Sequence, residues 1–186
     1  MPYTTVDKVK KYSQVQYTDL GFADDPNFES WITNTLIPAA EGYVDAYCGR
    51  DFNQNTVTET YDGNDKNYLF LKHYPVLSVS SVKVSGTAIN NSDYIWKSSG
   101  LIKLKGDAKF PKGVGNIEVT YTYGYSSVPT AIDDVTARIA ARILQIMVQN
   151  KMGILVRVDE FKVQIADYRV ITEDIKVVLE RYRKVI

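Results

Sequence analysis

The chain has one cysteine, one histidine and no excess charge of either sign among its 186 residues. The lone Cys48 forms no internal disulfide and cannot supply the paired thiolates of a zinc site. The lone His73 excludes di-histidine metal motifs, and no G-x-S-x-G elbow offers it a serine for a catalytic triad. Neither a G-x-G-x-x-G nor a G-x-x-x-x-G-K-[ST] phosphate loop occurs. No apolar run reaches the roughly 18 residues that span a bilayer. The start, Met-Pro-Tyr-Thr-Thr-Val-Asp, lacks the basic-then-apolar pattern of a secretory signal, so a soluble protein made and used in the cytoplasm is expected. With 22 basic and 22 acidic side chains, the basic excess that holds a protein to duplex phosphates is missing too. These absences point to a protein without catalytic activity, metal or cofactor.

What the sequence does have is tyrosine: 14 of them against six phenylalanines. Tyrosine suits surfaces that are half wet and half buried, as in subunit contacts. The charges are unevenly spread. Residues 1–55 carry four basic and eight acidic groups, a net of −4; residues 56–128 carry eight and six, and residues 129–186 ten and eight, each a net of +2. An acidic first part beside mildly basic later parts fits protein–protein complementarity. A chain of this length buries about 70% of its unfolded surface, enough for one core without staples.

The hydrophobic period divides the chain. A short helix is expected from Val6 to Tyr12, capped by Thr4 or Thr5, and a second with Asp25 as N-cap and Pro26 in its first turn. Ile32, Leu36, Ala39, Ala40, Tyr43, Val44 and Tyr47 give that helix an apolar face; Pro38 is expected to kink it near Asn34, and Gly49 to end it. From Thr56 to Tyr123 the period falls to two, with strands expected at 57–61, 68–71, 76–84, 94–96, 101–104 and 117–121. Helical spacing returns after Pro129 and ends at Gly153. A last helix starts at Thr172, with Glu173 and Asp174 in its first turn and Arg181, Arg183 and Lys184 expected in its last. The fold class is therefore α+β: a helical bundle over 1–55 and 125–186, an inserted antiparallel β unit over 56–124 (a meander or small barrel), and an extended arm over 153–168 before the final helix.

Few residues suggest chemistry. Asp62-Gly63-Asn64-Asp65 resembles the start of a calcium loop, but its glycine is misplaced and no glutamate stands at the twelfth position; a hairpin turn is expected. Asp133 and Asp134 are consecutive on a helix, diverge by about 100°, and read as helix N-terminal charges. His73 has no carboxylate partner at motif spacing and reads as structural; Cys48 reads as a small core residue. Lys97, Lys103, Lys105, Lys109 and Lys112 form the one basic cluster, and Lys103 and Lys105 share a strand face that either lines a channel for a polyanion or is simply solvated. Arg138 and Arg142 lie four apart on one helix face and suit inter-subunit ion pairs or phosphates. In the arm, Phe161, Val163 and Ile165 alternate with polar residues, the pattern of a strand offered to a neighbour.

One stretch resembles a known family. The helix end Tyr43-Val44-Asp45-Ala46-Tyr47-Cys48-Gly49-Arg50-Asp51-Phe52 is similar to that of the head–tail connector (adaptor, or head-completion) proteins of tailed phages. The resemblance continues through Tyr61-Asp62-Gly63, Leu69-Phe70-Leu71, Tyr74-Pro75-Val76, the run Val119 to Tyr125 with Val128-Pro129, and Leu179-Glu180-Arg181-Tyr182-Arg183. It implies a structural virion protein that forms a ring, a dodecamer in the virion, beneath the portal vertex. It also implies the partners: the portal protein, a downstream connector, stopper or tail protein, other copies of itself, and DNA passing without sequence-specific binding, with no membrane. On that reading Phe161, Val163, Ile165, Arg138, Arg142, Arg181 and Arg183 are candidate subunit or portal contacts, and Lys97, Lys103 and Lys105 candidate channel lining. The alternative is a small nucleic-acid- or ligand-binding α+β module using the same lysine face.

Overall fold

The structure is a computed structural model that describes residues 1–153 and 170–184. Phe161, Val163 and Ile165, with the rest of the expected arm after Gly153, lie outside these residues. The chain divides into two compact units, Met1–Asp51 with Val128–Ile186, and Phe52–Ser127.

In the helical unit, α1 (Val6–Ser13) is capped by the Thr5 hydroxyl, which accepts from the Lys8 N–H. The four-residue α2 (Tyr17–Leu20) follows, then α3 (Asp25–Trp31). The N-cap of α3 is Asp24, one residue earlier than expected: its carboxylate accepts from the Asn27 N–H at 2.8 Å. Pro26 then falls within the first turn, where its missing N–H has no intrahelical partner to lose. A π-helical turn (Ile32–Leu36) joins α3 to α4 (Ile37–Cys48). The disturbance includes Asn34, whose carbonyl would have faced the N–H that Pro38 lacks. Its form is a one-residue widening, in which the Ile37 N–H reaches back to the Ile32 carbonyl. Gly49 ends α4 at φ +66, its N–H on the Asp45 carbonyl at 2.8 Å.

The long α5 (Thr130–Gly153) is the spine of this unit, with α1 and α4 packed along it. Ala137, Ala140 and Ala141 are buried and small, which permits close approach, while Ile132, Val135, Ile139 and Leu144 fill the space between. The final helix α6 (Glu173–Glu180) buries Ile175 and Leu179. It stops before the basic residues expected in its last turn: Arg181 is the C-cap, and beyond it the Lys184 N–H bonds the Cys48 carbonyl at 2.8 Å.

The β unit contains β1 (Asn55–Gly63), β2 (Tyr68–Phe70), β3 (Val76–Val84), β4 (Thr87–Ala88), β5 (Tyr94–Trp96), β6 (Leu101–Leu104) and β7 (Gly113–Tyr123). They form two antiparallel sheets, of order β1-β7-β3-β4 and β2-β6-β5, with no closed barrel among the described residues. β7 takes the centre of the larger sheet because it is the longest strand and alternates Ile117, Val119 and Tyr121 toward the core. The Thr56–Thr122 and Thr58–Thr120 hydroxyl pairs, each at 2.9 Å, brace β1 against it. The core draws on both sheets, with Tyr61, Val79, Val82, Val119 and Tyr121 from one and Leu69, Ile102 and Leu104 from the other. Gly124, at φ +99, passes so close to the Asn53 carbonyl that a Cβ there would lie 2.0 Å from its oxygen.

Candidate interaction site

The three candidate lysines come together on the outer face of the smaller sheet. Ile102 and Leu104 of β6 point into the core, so the alternate positions Leu101, Lys103 and Lys105 point outward. Lys103 pairs with Tyr68 on one side and Ile95 on the other, and Leu101 pairs with Phe70. The Lys97 N–H bonds the Leu101 carbonyl at 2.9 Å, which extends the same register and sets Lys97 on the same face. Lys97, Lys103 and Lys105 are exposed.

Sequence reasoning missed the apolar half of this face. Phe70 is 62% exposed and Ile95 46%. The Phe70 ring meets Tyr68 edge-on at 5.7 Å, and the Lys66 ammonium lies 5.3 Å from the Tyr68 ring centroid. The signal was available: Tyr68 and Phe70 flank the buried Leu69 at the strand period, so both must face outward together. A passing duplex meets a channel wall first with its phosphates and offers Phe70 and Ile95 little apolar surface to bury against. A protein surface offers one, and lysines around exposed aromatic groups suit it.

The candidate arginines lie in the helical unit. Arg138 on α5 is ion-paired with Asp174 at the start of α6, within its own chain. Arg142 is half-buried one turn further on. Arg183 lies 3.5 Å from Glu180 and, with Lys184, Tyr47 and Gly49, lines a groove of about 490 Å³ beside the end of α4. Arg181 is exposed. Asp133 and Asp134 are answered by Lys8, at 3.0 and 3.8 Å, and Asp134 also accepts from the Tyr12 hydroxyl. Asp62 accepts from the Gly115 N–H at 2.6 Å and so ties β1 to β7 where their register shifts; the 62–65 segment leads from β1 into β2 of the other sheet and does not close the expected hairpin.

His73 does have a carboxylate partner: its Nε2 lies 3.5 Å from Glu59 on β1. The other Glu59 oxygen accepts from the hydroxyls of Tyr61 (2.5 Å) and Tyr121 (2.6 Å). Those hydroxyls in turn accept the backbone N–H groups of Lys72 and His73, and the His73 ring stacks on Tyr123 at 4.4 Å. Burial alone would raise the Glu59 carboxyl, but the Tyr121 and Tyr61 hydroxyls, with His73 and Lys72 nearby, hold it below its ordinary range. Burial and the Glu59 charge push Tyr61 up to about 12, and Tyr121 higher still. The hydroxyl protons are thus spent on holding β1, β7 and residues 71–75 together, and the cluster acts as a tie. Cys48 is buried, with its thiol pushed up to about 11 by desolvation, and is inert as a nucleophile.

An uncovered apolar and basic face, beside polar clusters committed to structure, is the make-up of a protein that works through its surfaces. The family comparison says which: the family model for head completion proteins matches residues 3–185, and the chain belongs to that family of structural virion proteins. Its fold is similar to a chain in the neck of an empty gene transfer agent particle computed with C6 symmetry, at TM-score 0.56 and 15% identity, over 100% of this chain and 90% of that one. It is also similar to a chain in the virion of the native gene transfer agent particle, at TM-score 0.54 and 14% identity, over 97% and 89%. At these identities the likeness is one of fold. No curated protein matches the chain.

Proposed function

We propose that the chain is a ring subunit at the head–tail junction of a virion, seated beneath the portal vertex. There it completes the head, extends the DNA channel and presents a docking surface to the next connector or tail component. The observation that carries this reading is the uncovered Phe70, Ile95 and Lys103 face on a chain of the head completion family. Family membership supports the virion setting, and the apolar surface exposed on this face supports a docking role. The fold likeness to neck proteins of a symmetric particle supports the same place and a cyclic arrangement. The sequence alternation Phe161, Val163, Ile165 suits an assembly arm in that setting, and zero net charge suits a passage through which DNA slides without being held.

The test uses DNA-filled heads made without this protein. Adding the purified chain should place a ring at the portal vertex in electron micrographs and restore retention of the packaged DNA. Heads that retain DNA equally well without it, or rings found away from the portal, would refute the reading.

A further inference from the structure

A closed ring of more than two copies needs a head-to-tail contact, in which each copy brings two different and mutually complementary surfaces. We propose that the outer face of the β2-β6-β5 sheet is one of these surfaces. The other is an acidic shoulder around residues 22–29 of the next copy. The proposal rests on the ring reading and names the contact that closes it.

Charge is the first argument. On the sheet face Lys66, Lys97, Lys103 and Lys105 surround Tyr68, Phe70 and Ile95, and one carboxylate, Asp93 opposite Lys105, stands among them, so the basic groups outnumber the acidic. The shoulder carries Asp24, Asp25 and Glu29. One ammonium, Lys10, bonds two of these, Asp25 at 2.7 Å and Glu29 at 2.9 Å, so three carboxylates share it. The second argument is shape and polarity. Exposed Ala23 and Pro26 stand among the acids, and half-buried Phe22 lies beneath, held 5.3 Å from Phe28 and 5.5 Å from Trp31. That is a firm apolar tip ringed by carboxylates, the counterpart of an aromatic patch ringed by ammonium groups. Opposite charges at the rim set register and speed encounter, while Phe70 and Ile95 supply the buried area.

The experiment follows self-association of the full chain by sedimentation at low and high salt. Lys103→Glu with Lys105→Glu reverses the sheet face. Ala23→Lys with Asn27→Lys offsets the negative excess of the shoulder and keeps the Asp24 cap on the backbone N–H of residue 27 and the Lys10 pairs. Each pair alone is expected to weaken association about tenfold or more, and the four changes together to cost less than the sum of the two, because either pair already removes the attraction. Phe70→Ser is expected to weaken it while leaving the salt dependence as it was. All these positions are exposed, so thermal unfolding serves as the check on folding. Unchanged association in both pairs, losses that simply add in the quadruple variant, or a parent chain monomeric under every condition would overturn the proposal. So would a single-stranded oligonucleotide whose binding is lost in Lys103→Glu with Lys105→Glu while association is unaffected, since the face would then belong to nucleic acid. Portal seating on DNA-filled heads is read separately: rings that form but do not seat would refute the proposed function and spare the contact.

Discussion

Asp45 sits half-buried on α4, its carboxylate 2.8 Å from the Tyr3 hydroxyl. Burial lifts its pKa from 3.8 to about 6; the Tyr3 bond opposes the rise, and Asp51 and Glu41 add to it. Because the folded value lies above the unfolded one, the native state holds the extra proton between pH 4 and 6. Stability therefore falls as pH rises through that window, and the full cost is present above it. Asp45→Asn removes the charge and keeps an acceptor for Tyr3. Its melting temperature is expected to exceed the parent's well above pH 6 and to match it below pH 4. A gain of equal size at both extremes would mean that titration of Asp45 is not its source. The Glu59 cluster shows the opposite balance, in which two hydroxyls and nearby positive charge overcome the same burial penalty.

At the scale of elements, most of the fold could be read from period and punctuation. β3, β5 and β6 fall on the expected residues, and α1 starts at its Thr5 cap, because alternation and capping are local properties of the chain. What could not be read is non-local. The position of β7 between β1 and β3 depends on which strand best fills a sheet centre. The Glu59–His73 contact follows from that pairing rather than from any spacing along the sequence. The candidate face was half legible for the same reason: strand parity aligned Lys103 with Lys105, but only the register with β2 and β5 brought Tyr68, Phe70 and Ile95 beside them. The arm over 153–168 rests on sequence alone and is tested by deletion. Removing residues 155–166 and joining the ends with Gly-Ser is expected to preserve the circular-dichroism signal and the thermal transition but to abolish ring formation or portal seating. A variant that unfolds instead would show that the segment belongs to the core of its own chain.

For the whole molecule, the two units differ in charge as well as in structure: Phe52–Ser127 carries eight basic and six acidic groups, a net of +2. Its core is built from its own two sheets, and its first and last strands pair from Asn55 and Tyr123 onward, so its chain ends meet. Residues 52–127 expressed alone are expected to unfold cooperatively with a β-type circular-dichroism spectrum. A piece that shows no transition would mean that its stability is borrowed from the helical unit. The same pairing has a mechanical side. Both ends of the insert leave from one end of an antiparallel pair, so tension between Asp51 and Val128 peels β1 from β7 rung by rung and never shears the nine-residue strand as a whole. The first resistance lies just outside the first rung, where Phe52 stacks on Tyr125 at 5.7 Å and Gly124 nests against Asn53. Under such tension the strength of this joint is that of a small aromatic clasp, however long the strands behind it.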